Sequence, residues 1–80
     1  MMIHKTPEEI VREAFPVAST MDNEAGKAFK VADGVIIQLT PLGAAVLVSR
    51  EGGRPKIIPC SSAAVACDRT KIVLQERNGS

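Results

Sequence analysis

The stretch Asp33–Pro59, DGVIIQLTPLGAAVLVSREGGRPKIIP, decides the fold. Three runs of apolar, largely β-branched residues are separated there by turn signals of different kinds. Asp33-Gly34 between apolar runs predicts a tight type I′ hairpin, which needs positive φ at both positions. Thr40-Pro41-Leu42-Gly43 has proline second and glycine fourth, the type I arrangement. Glu51-Gly52-Gly53 supplies a flexible tip. The runs between these signals predict strands over residues 35–40, 44–50 and 54–60. Pro59 has no N–H to give to a ladder, which puts the last strand at an edge or ends it there.

Upstream, residues 27–32 carry Phe29 and Val31 on one side and form the strand that enters the first hairpin. Residues 17–26, VASTMDNEAG, are small and polar and read as a loop, with room for a short strand near Val17–Thr20. Before them, Thr6-Pro7-Glu8-Glu9 is a helix start. Thr6 caps, Pro7 takes the first helical position, and Glu9 completes a capping box. Ile10, Val11, Ala14 and Phe15 make one apolar stripe, and Pro16 ends the helix at residues 6–15. A helix this short is marginal alone and must pack on something.

Downstream, Ser61–Cys67 fits either one helical turn or a strand. Two serines ahead of an alanine run favour a helical turn that corners the chain. Asp68-Arg69 reads as a turn, Thr70–Glu76 (TKIVLQE) as an alternating fifth strand, and residues 77–80 as a frayed tail. The expected architecture is one α+β domain over residues 1–80, mainly β. A short N-terminal helix precedes a β-rich core at 27–76, a five-stranded antiparallel meander forming a curled sheet or small open barrel.

Composition narrows the class further. Eighty residues leave room for one core, and a domain of that size buries only roughly 60–65% of its unfolded surface. Phe15 and Phe29 are the only aromatic rings, so Val, Ile, Leu and Ala must build the interior. The net charge of +1 gives no global attraction to nucleic acid or anionic membrane. Residues 1–40 carry four basic and six acidic side chains, and residues 41–80 carry six and three, a mild bias toward a basic face. MMIHK is too short and polar for a signal peptide, and no apolar run approaches a membrane span. The expectation is a cytoplasmic protein with reduced thiols.

Catalytic and metal chemistry find no constellation. His4 is the only histidine, and Cys60 and Cys67 lack both a CxxC spacing and a histidine partner. They read as small hydrophobes, with a redox pair as the alternative in an oxidising compartment. Glu8, Glu9 and Glu13 are explained by capping and solvation. Ser61-Ser62 has no base nearby, and Gly52-Gly53 is a hairpin tip rather than a phosphate loop. Asn78-Gly79-Ser80 matches a glycosylation sequon by chance. No enzyme, cofactor, metal or small-molecule substrate is indicated.

Two surface features remain. Each strand carries apolar groups on both faces: Val35, Ile37 and Leu39 oppose Ile36, Val46 and Val48 oppose Leu47, Ile58 opposes Ile57, and Ile72 and Leu74 oppose Val73. One short helix covers only part of a second apolar face, and monomers rarely expose large apolar areas. Ile36, Leu47, Ile57 and Val73 are therefore the candidate residues for binding a protein partner or a second copy. Arg50, Arg54 and Lys56 flank the glycine tip, and a fifth strand pairing back would add Arg69 and Lys71. These five are the candidate polar or nucleic-acid contacts, although no aromatic ring for base stacking accompanies them.

The segment VADGVIIQLTPLGAAVLVSREGGRPKIIPCSSAAVAC (residues 31–67) is loosely similar to the strand run of the bacterial Sm-like RNA chaperone. A capped helix, five strands and a helical corner before the last strand resemble Sm-like RNA-binding domains. Pro59-Cys60-Ser61 stands where that signature carries Tyr-Lys-His, so the likeness is one of fold and brings no RNA-contacting residues. The expected function is a non-enzymatic interaction module, an accessory regulator or inhibitor. The small inhibitors that phages make against host enzymes belong to this class. The alternative is an Sm-like oligomer that binds RNA or DNA with its basic hairpin.

Overall fold

The computed structural model describes residues 5–49 and 53–79. The chain runs α1 (Pro7–Ala14), β1 (Ser19–Asn23), β2 (Gly26–Ala32), β3 (Val35–Thr40), β4 (Gly43–Val48), β5 (Lys56–Cys60) and α2 (Ala63–Gly79). The five strands form one antiparallel sheet in the order β1-β2-β3-β4-β5. The meander and the α+β class agree with the sequence. The sheet stays open and does not close into a barrel.

Helix α1 forms as its cap residues dictate. Thr6 Oγ1 accepts a hydrogen bond from the Glu9 N–H at 3.2 Å, Pro7 opens the helix, and Phe15 closes it ahead of Pro16. Val11 is fully buried, and Ile10, Ala14 and Phe15 pack against the core.

Two segments differ from the sequence reading. Thr70–Glu76 is not a fifth strand but the middle of α2, which also takes in the corner at Ser61–Cys67 and the supposed tail at Arg77. Ser62 caps it, with its Oγ accepting from the Val65 N–H at 3.3 Å. From Ala63 onward, Ala63, Ala66, Cys67 and Thr70 are buried and Val73 and Leu74 partly so. That spacing is helical, and no glycine or proline interrupts residues 60–78. The alternation in TKIVLQE is the local part of this longer stripe. The fifth strand lies instead at the other end of the sheet. β1 overlaps the short strand allowed near Val17–Thr20 at Ser19 and Thr20 and otherwise falls inside the expected loop, and all five of its residues are exposed, so no buried-face alternation marks it.

The hairpin at Asp33-Gly34 is also built differently. Gly34 has φ 76°, while among the described residues none other than glycine has positive φ, so Asp33 excludes the type I′ turn. The register shifts between Lys30 and Ala32. One left-handed glycine after a bulge turns the chain, because the extra residue supplies the twist that a mirror-image turn would give. The chain turns at Pro41-Leu42, where a turn is expected, and the glycine that follows is obligatory. Gly43 has φ 147°, and a Cβ there would stand 2.7 Å from the Cys60 carbonyl oxygen and 2.8 Å from that of Ser61.

Both helices lie on one side. Helix α2 crosses β3, β4 and β5 and packs on α1. Beneath it, Phe29, Val35, Ile37, Val46 and Ala44 join Val11, Ala63, Ala66 and Cys67 in a single core. A stripe made of Ala, Ala, Cys and Thr projects little and lets the helix lie close on the sheet. Thr70, buried on that stripe, satisfies its hydroxyl by donating to the Ala66 carbonyl at 2.7 Å. At the far end, Arg77 Nη1 donates to the Asp33 carbonyl at 2.8 Å and ties α2 to the β2–β3 turn.

Gly43→Ala is expected to destabilise the protein by more than about 1 kcal/mol, because strained φ and backbone contact coincide there. Gly53→Ala, which has nothing within 4 Å of the added Cβ, should be neutral or stabilise by up to about 1 kcal/mol. Denaturant midpoints of the two variants check this contrast.

Candidate functional site

The uncovered face of the sheet is built by register. Ile36 pairs with Leu47, and Leu47 with Ile57, so the three side chains form one cross-strand row. Their neighbours in sequence, Val35, Ile37, Val46 and Ile58, point to the opposite face and into the core. Ile36 and Leu47 are half-buried, and Ile57 is 61% exposed at the rim. The next row is Met21, Ala28, Gln38, Ala45 and Pro59. Ala28 in this row is buried at 2% exposure, and Met21 lies on β1, which has no buried-face pattern to mark it in the sequence. Lys30, opposite Ile36, is the charged residue nearest the apolar row.

Gln38 is the polar group in the middle of this face, and its hydrogen bonds are met from within. Its Oε1 accepts from Asn23 Nδ2 at 2.8 Å. Its Nε2 donates to the Leu39 carbonyl at 2.9 Å, to Asn23 Oδ1 at 3.2 Å and to the Lys27 carbonyl at 3.4 Å. A partner that covered Gln38 would therefore strip little water from unmet polar atoms.

The fourth residue expected on this surface does not belong to it. Val73 lies on α2 and packs against the core. The helix instead exposes Val65 (37%) and Ile72 (46%) on its own outer side.

The basic candidates do not converge. Arg54 and Lys56 are exposed where β5 begins. Arg69 and Lys71 sit on α2, since no fifth strand pairs back to bring them to the tip. Arg69 lies near enough to Cys60, at the opposite end of β5 from Lys56, to act on its thiol. Arg50 and the Glu51-Gly52 part of the tip lie outside the described residues, as do His4 and Ser80.

Charge does organise one corner. Lys27 on β2 reaches Glu8 of α1 at 3.3 Å and Asp22 of β1 at 3.5 Å, and Glu8 also accepts from Arg12 at 2.7 Å. The hydrogen bond that Lys27 donates to Glu8, then the Asp22 charge, raise the Lys27 pKa above 10.5. This exposed network orients α1 over the β1–β2 hairpin more than it stabilises the fold.

Both thiols are unpaired. Burial pushes Cys67 up from the ordinary 9.0, and Cys60 is raised by the same cause against the opposing charge of Arg69. Raised thiols are poor nucleophiles at neutral pH. Among the described residues no group of three or more His, Cys, Asp or Glu comes together to hold a metal, and no helix is long and apolar enough to cross a membrane. A groove of about 330 Å³ opens between the starts of both helices and the β3–β4 turn, lined by Pro7, Ile10, Leu42, Ser61 and Ser62 among others. It holds no acid, base or thiol.

No protein-family model, curated protein or solved structure matches the chain.

The thiols and Lys27 fix the sign of the pH response. Between 9.0 and the raised folded values, the unfolded chain releases thiol protons that the folded chain keeps, so stability falls as pH rises. The Lys27 contribution is complete below 10.5 and is lost as pH rises through its raised folded value. Urea midpoints should therefore fall from about pH 9 upward. Cys67→Ala should flatten the first part of that fall, and an unchanged slope would contradict the assignment.

Proposed function

We propose that this chain is a small, non-enzymatic interaction module that docks a protein partner on the uncovered face of its sheet. One observation carries the reading: Ile36, Leu47 and Ile57 line up across three strands on the face opposite both helices. Around them the face is nearly free of charge, and its central amide is already hydrogen-bonded. These are the properties of the buried centre of a protein interface, which is depleted in charge and excludes water. Such a surface suits an accessory regulator or inhibitor that works by occupying another protein. The basic residues lend less to a nucleic-acid reading, because they lie apart on β5 and α2.

Ile57 is the residue to change, since it is exposed and its loss costs the fold little. Ile57→Lys is expected to shift stability by no more than about 0.5 kcal/mol. It should weaken partner capture at least about tenfold by placing a charge in the apolar row. The check compares quantitative capture from a host lysate on wild-type, Ile57→Lys and Arg54→Ala/Lys56→Ala baits. A protein lost only on the first variant supports the reading. Ligands lost only on the second, and removed by nuclease or salt, would replace it with the nucleic-acid alternative.

A further inference from the structure

The two edges of the sheet are unlike, and the difference points to what lies beyond one of them. In an antiparallel sheet the backbone N–H and C=O groups of successive residues point alternately to the two neighbouring strands. Ser49 N–H donates to the Gly34 carbonyl at 2.7 Å, which fixes that alternation for the β3–β4 ladder. Stepping along the paired positions, Leu47 and Ala45 bond toward β3, and Val46 and Ala44 toward β5. On β5, Ile58 and Cys60 thus bond inward, and Ile57 and Pro59 face outward. Proline occupies an outward position where an N–H would invite another strand. Pro55 and Lys56 stand beside it, so this edge is closed to further pairing.

The β1 edge is the reverse. Ile37 bonds toward Phe29 of β2, and Ala28 and Lys30 then bond toward Met21 and Ser19 of β1. The backbone groups of Thr20 and Asp22 face outward at the free edge. β1 carries no proline, lysine or bulge, and all five of its residues are exposed. Its one charge, Asp22, is offset by Lys27 at 3.5 Å, so little besides its short length guards this edge.

We propose that β1 pairs antiparallel with β1 of a second copy about a two-fold axis through Met21, joining two five-stranded sheets into one. In this register Thr20 lies opposite Asp22 of the other copy, and each pair exchanges both outward-facing backbone bonds. The side chains agree with that register. Thr20 sets a hydroxyl donor beside an Asp22 carboxylate, and Lys27 at 3.5 Å already offsets the charge of that carboxylate. On the outer face Met21, 48% exposed, meets its own copy at the axis. The pairing is isologous and closed, so it stops at two chains. One strand pair buries less than the roughly 1,000 Å² of a stable complex, so association is weak and concentration-dependent. The Ile36–Leu47–Ile57 row takes no part, and the inference stands whether or not a partner docks there.

Thr20→Pro tests the edge directly. It deletes an outward N–H that makes no bond within the chain, so the monomer should stay folded by circular dichroism. The dimer dissociation constant from sedimentation equilibrium should rise at least about tenfold. Ile57→Lys should leave that constant unchanged. Register is read by cysteine substitution under mild oxidation, with wild type as control for Cys60 and Cys67. Met21→Cys should cross-link two chains, because facing residues at a non-hydrogen-bonded position lie within disulfide reach. Ser19→Cys should not. The proposal is overturned by a wild-type monomer at about 1 mM, by a folded Thr20→Pro variant that dimerises as well as wild type, or by cross-linking of Ser19→Cys equal to that of Met21→Cys. Should Thr20→Pro fail to fold, the cross-linking pair decides.

Discussion

Close packing of α2 on one face of the sheet is the contact on which the rest of the structure depends. Val35, Ile37 and Val46 are fully buried beneath the helix face formed by Ala63, Ala66, Cys67 and Thr70. With two aromatic rings in the chain, large side chains cannot fill a wide gap. Small residues on the helix remove the gap instead. Helix α1 is too short to hold alone and gains its place by setting Val11 into the same core. The turn between β5 and α2 then has to be tight, which is why Gly43 meets the Cys60 and Ser61 carbonyls with no room for a side chain.

That one-sided covering gives the surface its character. A sheet whose strands are apolar on both faces has been given helices on one. The other face keeps Ile36, Leu47 and Ile57 in a row, with polar demand met internally at Gln38 and Asn23. The edges are governed separately. Proline guards β5, whereas β1 offers unpaired backbone. A small domain with a thin stability margin thus leaves one sheet face and one sheet edge without cover from its helices, the two places proposed for association.

The central strands, the first helix and the outer apolar row were legible in the sequence because each rests on short-range chemistry. Pro41 and Gly43 define a turn, Thr6 and Pro7 define a cap, and strand alternation divides Ile36 from Ile37 without tertiary information. What was hidden had no local signature. β1 exposes every residue, so it shows no buried-face period and looks like loop. Thr70–Glu76 contains enough β-branched residues to alternate, and only the stripe starting at Ala63, unbroken by glycine or proline, identifies it as helix. Placing Val73 on the sheet and gathering Arg69 and Lys71 at the tip both followed from that one misread segment. The type I′ turn failed because a bulge at Lys30–Ala32 supplied the twist by another route.

The claim that one sheet face is covered and the other open is tested most directly by methyl NMR of the free protein with an inert, soluble paramagnetic probe. Strong relaxation enhancement is predicted at Ile57, and intermediate enhancement at Ile36 and Leu47. Val35, Ile37, Val46 and Ala66 should show almost none. Equal protection of Ile36 and Ile37, or of Leu47 and Val46, would contradict the account.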